Sequence, residues 1–448
     1  MKGTYNLTEG PITPTLMKLT LPIIATNFIS TTYGLVDMIW VGRLGSDSVA
    51  AIGTASFFVN LAVALSTLVS IGTGVKVAHS MGEGNTEKAM TYIKNGFVMS
   101  ALLGILYMLF IFITKDKLID FFVLANAEVE LMAKQFLVIS MIGLIFSFIN
   151  TLFSTILNSM GNSRKPFQIF TIGFLVNIIL DPLLIFGFGS IRGLGVAGAA
   201  IATVTANLIV TSLFLVYTRS LHLFPKGVSF QTTQMKEVIM MGIPITVQRV
   251  TFTIISILIA KIIVQWGSDA IAVQKVGIQI ESISYMTIGG LQGAIAAFFG
   301  QNYGARNLGR IKQGYYQALL ITMIFGILIS IIFVLFPKQL FSVFLSDEAS
   351  LELGASYMRI IGFSQLFMCI ELMTVGAFNG LGKTHIPPIF SIVLTALRIP
   401  MAIVLSVPFG LNGVWLSIAI SSVLKGIVLV CWFIGYLRKM DRTLTYKA

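Results

Sequence analysis

The 448-residue chain is 56% hydrophobic and only 11% charged, with a mean hydropathy of +0.90. A soluble domain carries roughly 25% charged residues, so the composition excludes one and points to a chain that crosses a lipid bilayer many times. The net charge of +12 would suggest nucleic acid in a soluble protein, but here Lys and Arg are expected in the loops between spans, and no nucleic-acid partner is expected.

The first long apolar run holds TNFISTTYGLVDMIWVG over residues 26–42. A carboxylate at membrane depth is costly unless it faces protein or water, and Asp37 sits in this run with an apolar turn, Met38–Val41, still to follow. At helical spacing Thr26, Ser30, Tyr33 and Asp37 share a face. A plainer reading has Asp37 at a helix end, reaching the headgroups.

About twelve runs of spanning length follow one another, at residues 15–41, 49–75, 91–114, 128–158, 166–188, 195–218, 237–265, 276–300, 313–336, 349–379, 386–408 and 413–436. The predicted fold is all-α and polytopic. Residues 219–236 form the longest connector and contain no run able to span, so they read as a cytoplasmic linker between halves 1–218 and 237–448. Loop cations gather on one side, including Lys88, Arg164, Lys165, Arg219, Lys236, Arg306, Arg310, Lys383 and Arg438. That bias predicts both termini in the cytoplasm. Met1-Lys2 opens a polar segment rather than a cleavable signal. Cys369 and Cys431 lie in apolar runs, and His79, His222 and His385 are scattered, so neither a disulfide framework nor a zinc site is expected.

The chain repeats itself. A shift of about 222 residues pairs Pro22 with Pro244, Gly45-Ser46-Asp47 with Gly267-Ser268-Asp269, Gly82 with Gly304, and Asn85 with Asn307. A shift of about 221 pairs Asn158, Gly161 and Pro166 with Asn379, Gly382 and Pro387. Each half is then a six-span bundle. An even span count gives the copies one orientation, related by a pseudo-two-fold axis along the membrane normal, with a central cleft as in many transporters.

Departures from the repeat mark the candidate chemistry. Asp37 pairs with Ile259, Asp181 with Ala402, Asn177 with Arg398, and Asn150 with Glu371. In span 5, NIILDPLL puts Asn177 and Asp181 on one face and adds Pro182, which is expected to break the helix turn there. An ordinary proline kink with Asp181 near the surface is the plainer reading. In span 6, Thr203 and Asn207 also share a face. Two acids in one half, with Asn150 and Thr203 nearby, predict a polar pocket for H+ or Na+ in the first bundle. Close carboxylates in low dielectric should share a proton. The second half carries its own charges, Lys261, Glu281, Glu371, Arg398 and Lys425, and Glu371 and Arg398 are expected to pair or to line a cavity. The segment 380–384, GLGKT, resembles the end of a phosphate-binding loop, but Ala377 stands where a glycine is required, so nucleotide binding is not expected.

TLPIIATNF, VDMIWVGRLG, NIILDPLLIFG, RGLGVAGAAIAT and GQNYGARN together resemble the multidrug and toxic compound extrusion (MATE) family, and the resemblance covers both halves. It implies two six-helix bundles in a V around a central cavity. It implies a secondary active antiporter, not an enzyme, that exports lipophilic and often cationic compounds in exchange for H+ or Na+ without a cofactor. A multi-pass monomer in the cell membrane is expected. A lipid-linked glycan flippase of the same superfamily and an intramembrane transferase are the alternatives.

Carried over residue by residue, the resemblance assigns ion coupling to Asp37, Asp181, Asn177, Tyr33, Thr203 and Asn150, with Na+ possible at Asp37, Asp181 and Asn177. Asp37, Met38, Phe136, Phe153, Glu371 and Arg398 are expected to line the substrate cavity. Span 7 reads PITVQRVTFT and lacks the acid of the NorM-like branch, and Phe136 replaces a span-4 tyrosine of some members. The first departure points to DinF-like coupling through the first bundle, with helix 1 bending at Pro22 and Gly34.

Overall fold

The computed structural model describes residues 6–122, 124, 126–189, 191–221 and 231–445. Among the described residues, twelve helical segments are long and apolar enough to cross a membrane. They are built from α1 (Ile12–Gly42), α2 (Ser46–Gly82), α3 (Thr86–Asp120), α4 (Ala127–Ser159), α5 (Arg164–Phe186), α6 (Gly195–Ser220), α7 (Thr232–Ile263), α8 (Ser268–Gly304), α9 (Leu308–Leu335), the short α10 (Pro337–Ser342), α11 (Glu348–Gly380), α12 (Ile386–Ala396), α13 (Arg398–Phe409) and α14 (Leu411–Thr445). β1 (Gly187–Phe188) and β2 (Ile191–Arg192) form a two-residue antiparallel hairpin between α5 and α6. The chain is a multi-pass membrane protein, almost entirely α-helical.

The residues that repeat in sequence punctuate the helices. Asn85 and Asn307 cap α3 and α9, each side chain accepting from the backbone N–H three residues on, Lys88 and Arg310. Gly45 and Gly267 precede α2 and α8 at φ 115° and 93°, where a Cβ would be strained. The repeat is therefore a repeat of helix starts and stops, which is why it is legible despite divergent apolar faces.

Proline acts differently in the two halves. α5 runs through Pro182 unbroken, whereas the matching region of the second half splits at Leu397 into α12 and α13. Pro400 removes an N–H and crowds the carbonyl of Ala396, where α12 ends. The expected break in span 5 is thus absent, and the break lies in span 11.

Two compact units divide the chain, one built on Ala25–Ile243 and the other on Leu7–Ile24 with Pro244–Ala448. These boundaries differ from a division at a 219–236 linker. Within that stretch, 219–220 end α6, 232–236 begin α7, and 222–230 lie outside the described residues. The first half of α7 belongs to the first unit because it is anchored there. Glu237 pairs with Lys76 at 2.5 Å and accepts from the Tyr92 hydroxyl at 2.6 Å, and Asn95 donates to Gln234 at 3.1 Å. The first half of α1 is anchored in the second unit. The Leu7 N–H donates to Gln301 at 3.2 Å, Thr13 donates to Gln317 at 2.8 Å, and Arg310 donates to the carbonyls of Leu7, Glu9 and Gly10. Both crossings fall beside the paired prolines, Pro22 and Pro244.

Each unit has its own core. Phe153, Phe214, Tyr92 and Val238 pack in the first, and Phe298, Phe299, Tyr315, Phe378 and Phe433 in the second. Burying a large side chain contributes about 1.5–3 kcal/mol, and these rings fix the helices that carry the polar groups.

Candidate functional site

The polar cluster lies in the first unit, on the second half of α1 and on α4, α5 and α6. Asp181 and Asn177 have no exposed surface. One helical turn separates them, so the Asn177 amide reaches back and donates to Asp181 Oδ1 at 3.0 Å. Asp37 of α1 is half-buried. It accepts from the Thr203 hydroxyl at 3.3 Å and stands close enough to Asp181 and Asn177 for their groups to act on its carboxyl. The same hydroxyl also lies 3.1 Å from Ala199 O of its own helix, so its one hydrogen is shared between two acceptors.

Asn150 makes no hydrogen bond to either acid. Its amide donates to Asn207 O at 3.0 Å, and its oxygen accepts from Thr211 at 2.8 Å. Asn207 in turn donates to Thr203 O at 3.0 Å. This ladder pins α4 to α6 and sets the turn that presents Thr203. Tyr33 packs its ring against Phe174 at 5.2 Å and stands close enough to feel both carboxylates. Its hydroxyl fits because residue 173 is glycine. A Cβ there would lie 2.9 Å from that oxygen. Gly173 and Phe174 escaped sequence reading, since an apolar span offers many glycines and phenylalanines and no periodicity singles these out.

Three oxygens in this cluster are buried and lack a donor: Asp37 Oδ1, Asn177 Oδ1 and Asp181 Oδ2. A buried acceptor left unmatched is costly, by about 1–3 kcal/mol each. Oxygen acceptors without donors suit a proton between carboxyls or a small hard cation. Among the described residues no group of three or more His, Cys, Asp or Glu could hold a metal ion, so this oxygen set offers two acids and an amide and nothing softer.

The residues suggested for the cavity fall in both units. Met38 is exposed. Phe136 is partly buried against the α3–α4 core and the cluster around Val41. Phe153 is a core residue, 1% exposed and held between Phe97 at 4.5 Å and Phe214 at 5.1 Å. Its packing removes it from any chamber wall. The expected pairing of Glu371 with Arg398 is also corrected. Glu371 pairs with Lys425 of α14 at 2.9 Å, while Arg398 donates to Ser421 and Ser422 at 3.1 and 3.2 Å. Lys425 wins because it leaves α14 within reach of α11, to which that helix packs closely.

The MatE family model matches the chain twice, over residues 22–183 and 244–404, which reproduces the internal repeat. The probable multidrug resistance protein NorM of Thermotoga maritima is 27% identical over 430 residues, covering 94% of this chain and 92% of the relative. The FAD transporter of Shewanella oneidensis is 26% identical over 451 residues, covering 97% of each. A solved MATE in complex with MaD5 has the same fold, with a TM-score of 0.89, 24% identity and 99% coverage of both chains. The matches run from end to end and include both repeats, and on them the chain belongs to the MatE family of multidrug and toxic compound extrusion transporters.

Proposed function

We propose that this transporter exports lipophilic, often cationic compounds by antiport, driven by inward movement of H+ through the Asp37–Asp181 pair. The observation that carries the reading is the trio of donor-less buried oxygens on Asp37, Asn177 and Asp181. A proton held between the two carboxyls supplies a donor that the cluster otherwise lacks. The drug-like substrate class rests on the name of the Thermotoga relative.

Each partner has a defined part. Asp181, with no exposed surface, is the inner member, and half-buried Asp37 exchanges the proton. Thr203 and Asn177 orient the two acids, and Asn150 orients Thr203 through Asn207. Neutralising Asp37 weakens its grip on α6 and frees the second half of α1 to move about Pro22 and Gly34. One charge moving down the membrane potential yields about 2.3 kcal/mol per 100 mV. Expelling a monovalent cation against that potential costs the same, so at least one proton enters per drug. Both termini lie in the cytoplasm, where the loop cations gather.

Na+ is the second reading, and the same oxygen trio favours it, because hard cations take oxygen ligands. Reconstituted vesicles separate the two. With substrate inside and only a pH gradient imposed, efflux should proceed; with only a Na+ gradient at equal pH, it should not. The reverse pattern would assign the site to Na+, and efflux without either gradient would end the antiport reading. FAD as a competitor in the same assay tests whether the substrate range follows the Shewanella relative instead.

A further inference from the structure

Among the ionisable side chains in the spans of the second unit, Glu281, Glu371, Arg398 and Lys425 stand where the first half carries none. Their partners sort them. Glu371 is committed, with one oxygen on Lys425 at 2.9 Å and the other accepting from Ser391 at 3.1 Å. Arg398 is held by two serine hydroxyls of α14. Glu281 is different. It is 8% exposed, its Oε1 accepts from the Tyr357 hydroxyl, and its Oε2 accepts from the Gln365 amide at 3.3 Å. Among the described residues no cation forms an ion pair with it.

We propose that Glu281 is a second proton-carrying carboxyl, seated between α8 and α11 and separate from the Asp37–Asp181 pair, with Gln365 as the side chain that serves both of its protonation states. The amide of Gln365 has a donor end and an acceptor end of the same shape. At present its N–H faces Glu281 while its oxygen, Oε1, is buried with no donor. Turned over, the amide presents that oxygen to Glu281, where a protonated carboxyl would donate to it. Loading and unloading a proton then needs one side-chain rotation and no backbone movement. The Ser284 hydroxyl, also buried and without a partner, lies one turn along α8 on the same face.

The surrounding charges leave both states open. On α8 itself the titratable neighbour is Tyr285. α11 brings Tyr357, Cys369 and Glu371, the last already paired with Lys425. The field of Arg398 reaches Glu281, but its guanidinium is bonded to Ser421 and Ser422. α9 places Arg310, Lys312, Tyr315 and Tyr316 in its first turns, beside the opposite end of α8, where Arg310 lies over Phe298. α10 brings Lys338, which pairs with Glu348 and Glu352, and the turn Val264–Trp266 brings none. A carboxylate bonded to a cation would stay charged, and one with no cation in reach would stay neutral. Glu281 takes two neutral donors and no bonded cation, so no ion pair locks either state.

The test uses the full-length protein in lipid nanodiscs with carbon-13 in its glutamate side-chain carboxyls, followed by NMR across the pH range in which it stays folded. One titrating carboxyl should vanish in Glu281→Gln and persist in the Asp37→Asn/Asp181→Asn double variant, so the result is independent of the first-unit site. Should Glu281→Gln fail to fold, Tyr357→Phe, which removes one donor and keeps the ring, should shift the midpoint of that same signal. If neither substitution removes or moves a titrating glutamate signal, Glu281 holds one charge state throughout and the proposal is overturned.

Discussion

Asp37 on α1 and Asp181 on α5 stand close enough for each carboxyl to act on the other. Each also keeps a buried oxygen that no donor meets. Two carboxylates this close repel each other when both are charged, and a proton or a cation between them relieves that repulsion. Their juxtaposition ties the charge state of the cluster to the position of α1, the helix whose halves belong to different units.

Asp37→Asn removes the titratable group and keeps an oxygen able to accept from Thr203. The variant should fold, bind substrate and lose gradient-driven efflux. Drug-dependent proton release from reconstituted vesicles reads this directly. Wild-type pumping by the variant would sink the coupling role of Asp37.

Thr203 offers a graded test. Its hydroxyl lies in reach of both Asp37 and Ala199 O. Thr203→Val deletes the donor at near-constant shape, and Thr203→Ser keeps it. A hydrogen bond to a charged group is worth about 1.5–3 kcal/mol. Without that donor the charged form of Asp37 is disfavoured, so the valine variant should reach half-maximal efflux at roughly tenfold lower H+, and the serine variant should stay close to wild type. Equal behaviour of the two would show that the hydroxyl does not hold Asp37.

Much of this was legible in the sequence because polar residues inside apolar spans are few. Asp37, Asn177, Asp181 and Thr203 stood out on that ground, and helical spacing placed them on shared faces. The repeat showed through Gly45, Asn85, Gly267 and Asn307, which end or cap helices and tolerate little substitution. Partner choice was not legible. Nothing in the spacing shows that Lys425 rather than Arg398 reaches Glu371, because that depends on which faces of α11 and α14 meet. The crossings of α1 and α7 between units were hidden for the same reason, since close packing decides them: Gly72 and Gly242 seat α7 on α2, and Gly290 of α8 seats Ile24 of α1. The break at Pro400 rather than Pro182 shows that one residue type gives two outcomes, set by the helices around it.

Gly173→Ala tests the fit of Tyr33. The added Cβ would stand 2.9 Å from the tyrosine oxygen and would also strike Val210. Overpacking of this kind costs about 1–3 kcal/mol, seen as a lower midpoint in thermal unfolding in detergent. Pairing it with Tyr33→Phe should recover part of the loss, because the hydroxyl is one of the two groups struck. No recovery would place the whole strain on Val210.

The Glu371–Lys425 pair, with side chains 4% and 6% exposed, calls for a double-mutant cycle. Lys425→Met strands a buried carboxylate, and Glu371→Gln strands a buried ammonium. Breaking such a pair costs about 3–5 kcal/mol, whereas replacing both members by groups of similar volume is often close to neutral. Each single variant should therefore unfold well below wild type, while Glu371→Gln/Lys425→Met should regain most of the loss. The Ser391 hydroxyl would still have a side-chain oxygen to donate to in the double variant. Transport should follow the same order if the pair serves to hold α11 on α14, because the double variant restores that contact without charge. A double variant that is stable yet inactive would instead show that the charges themselves take part in transport.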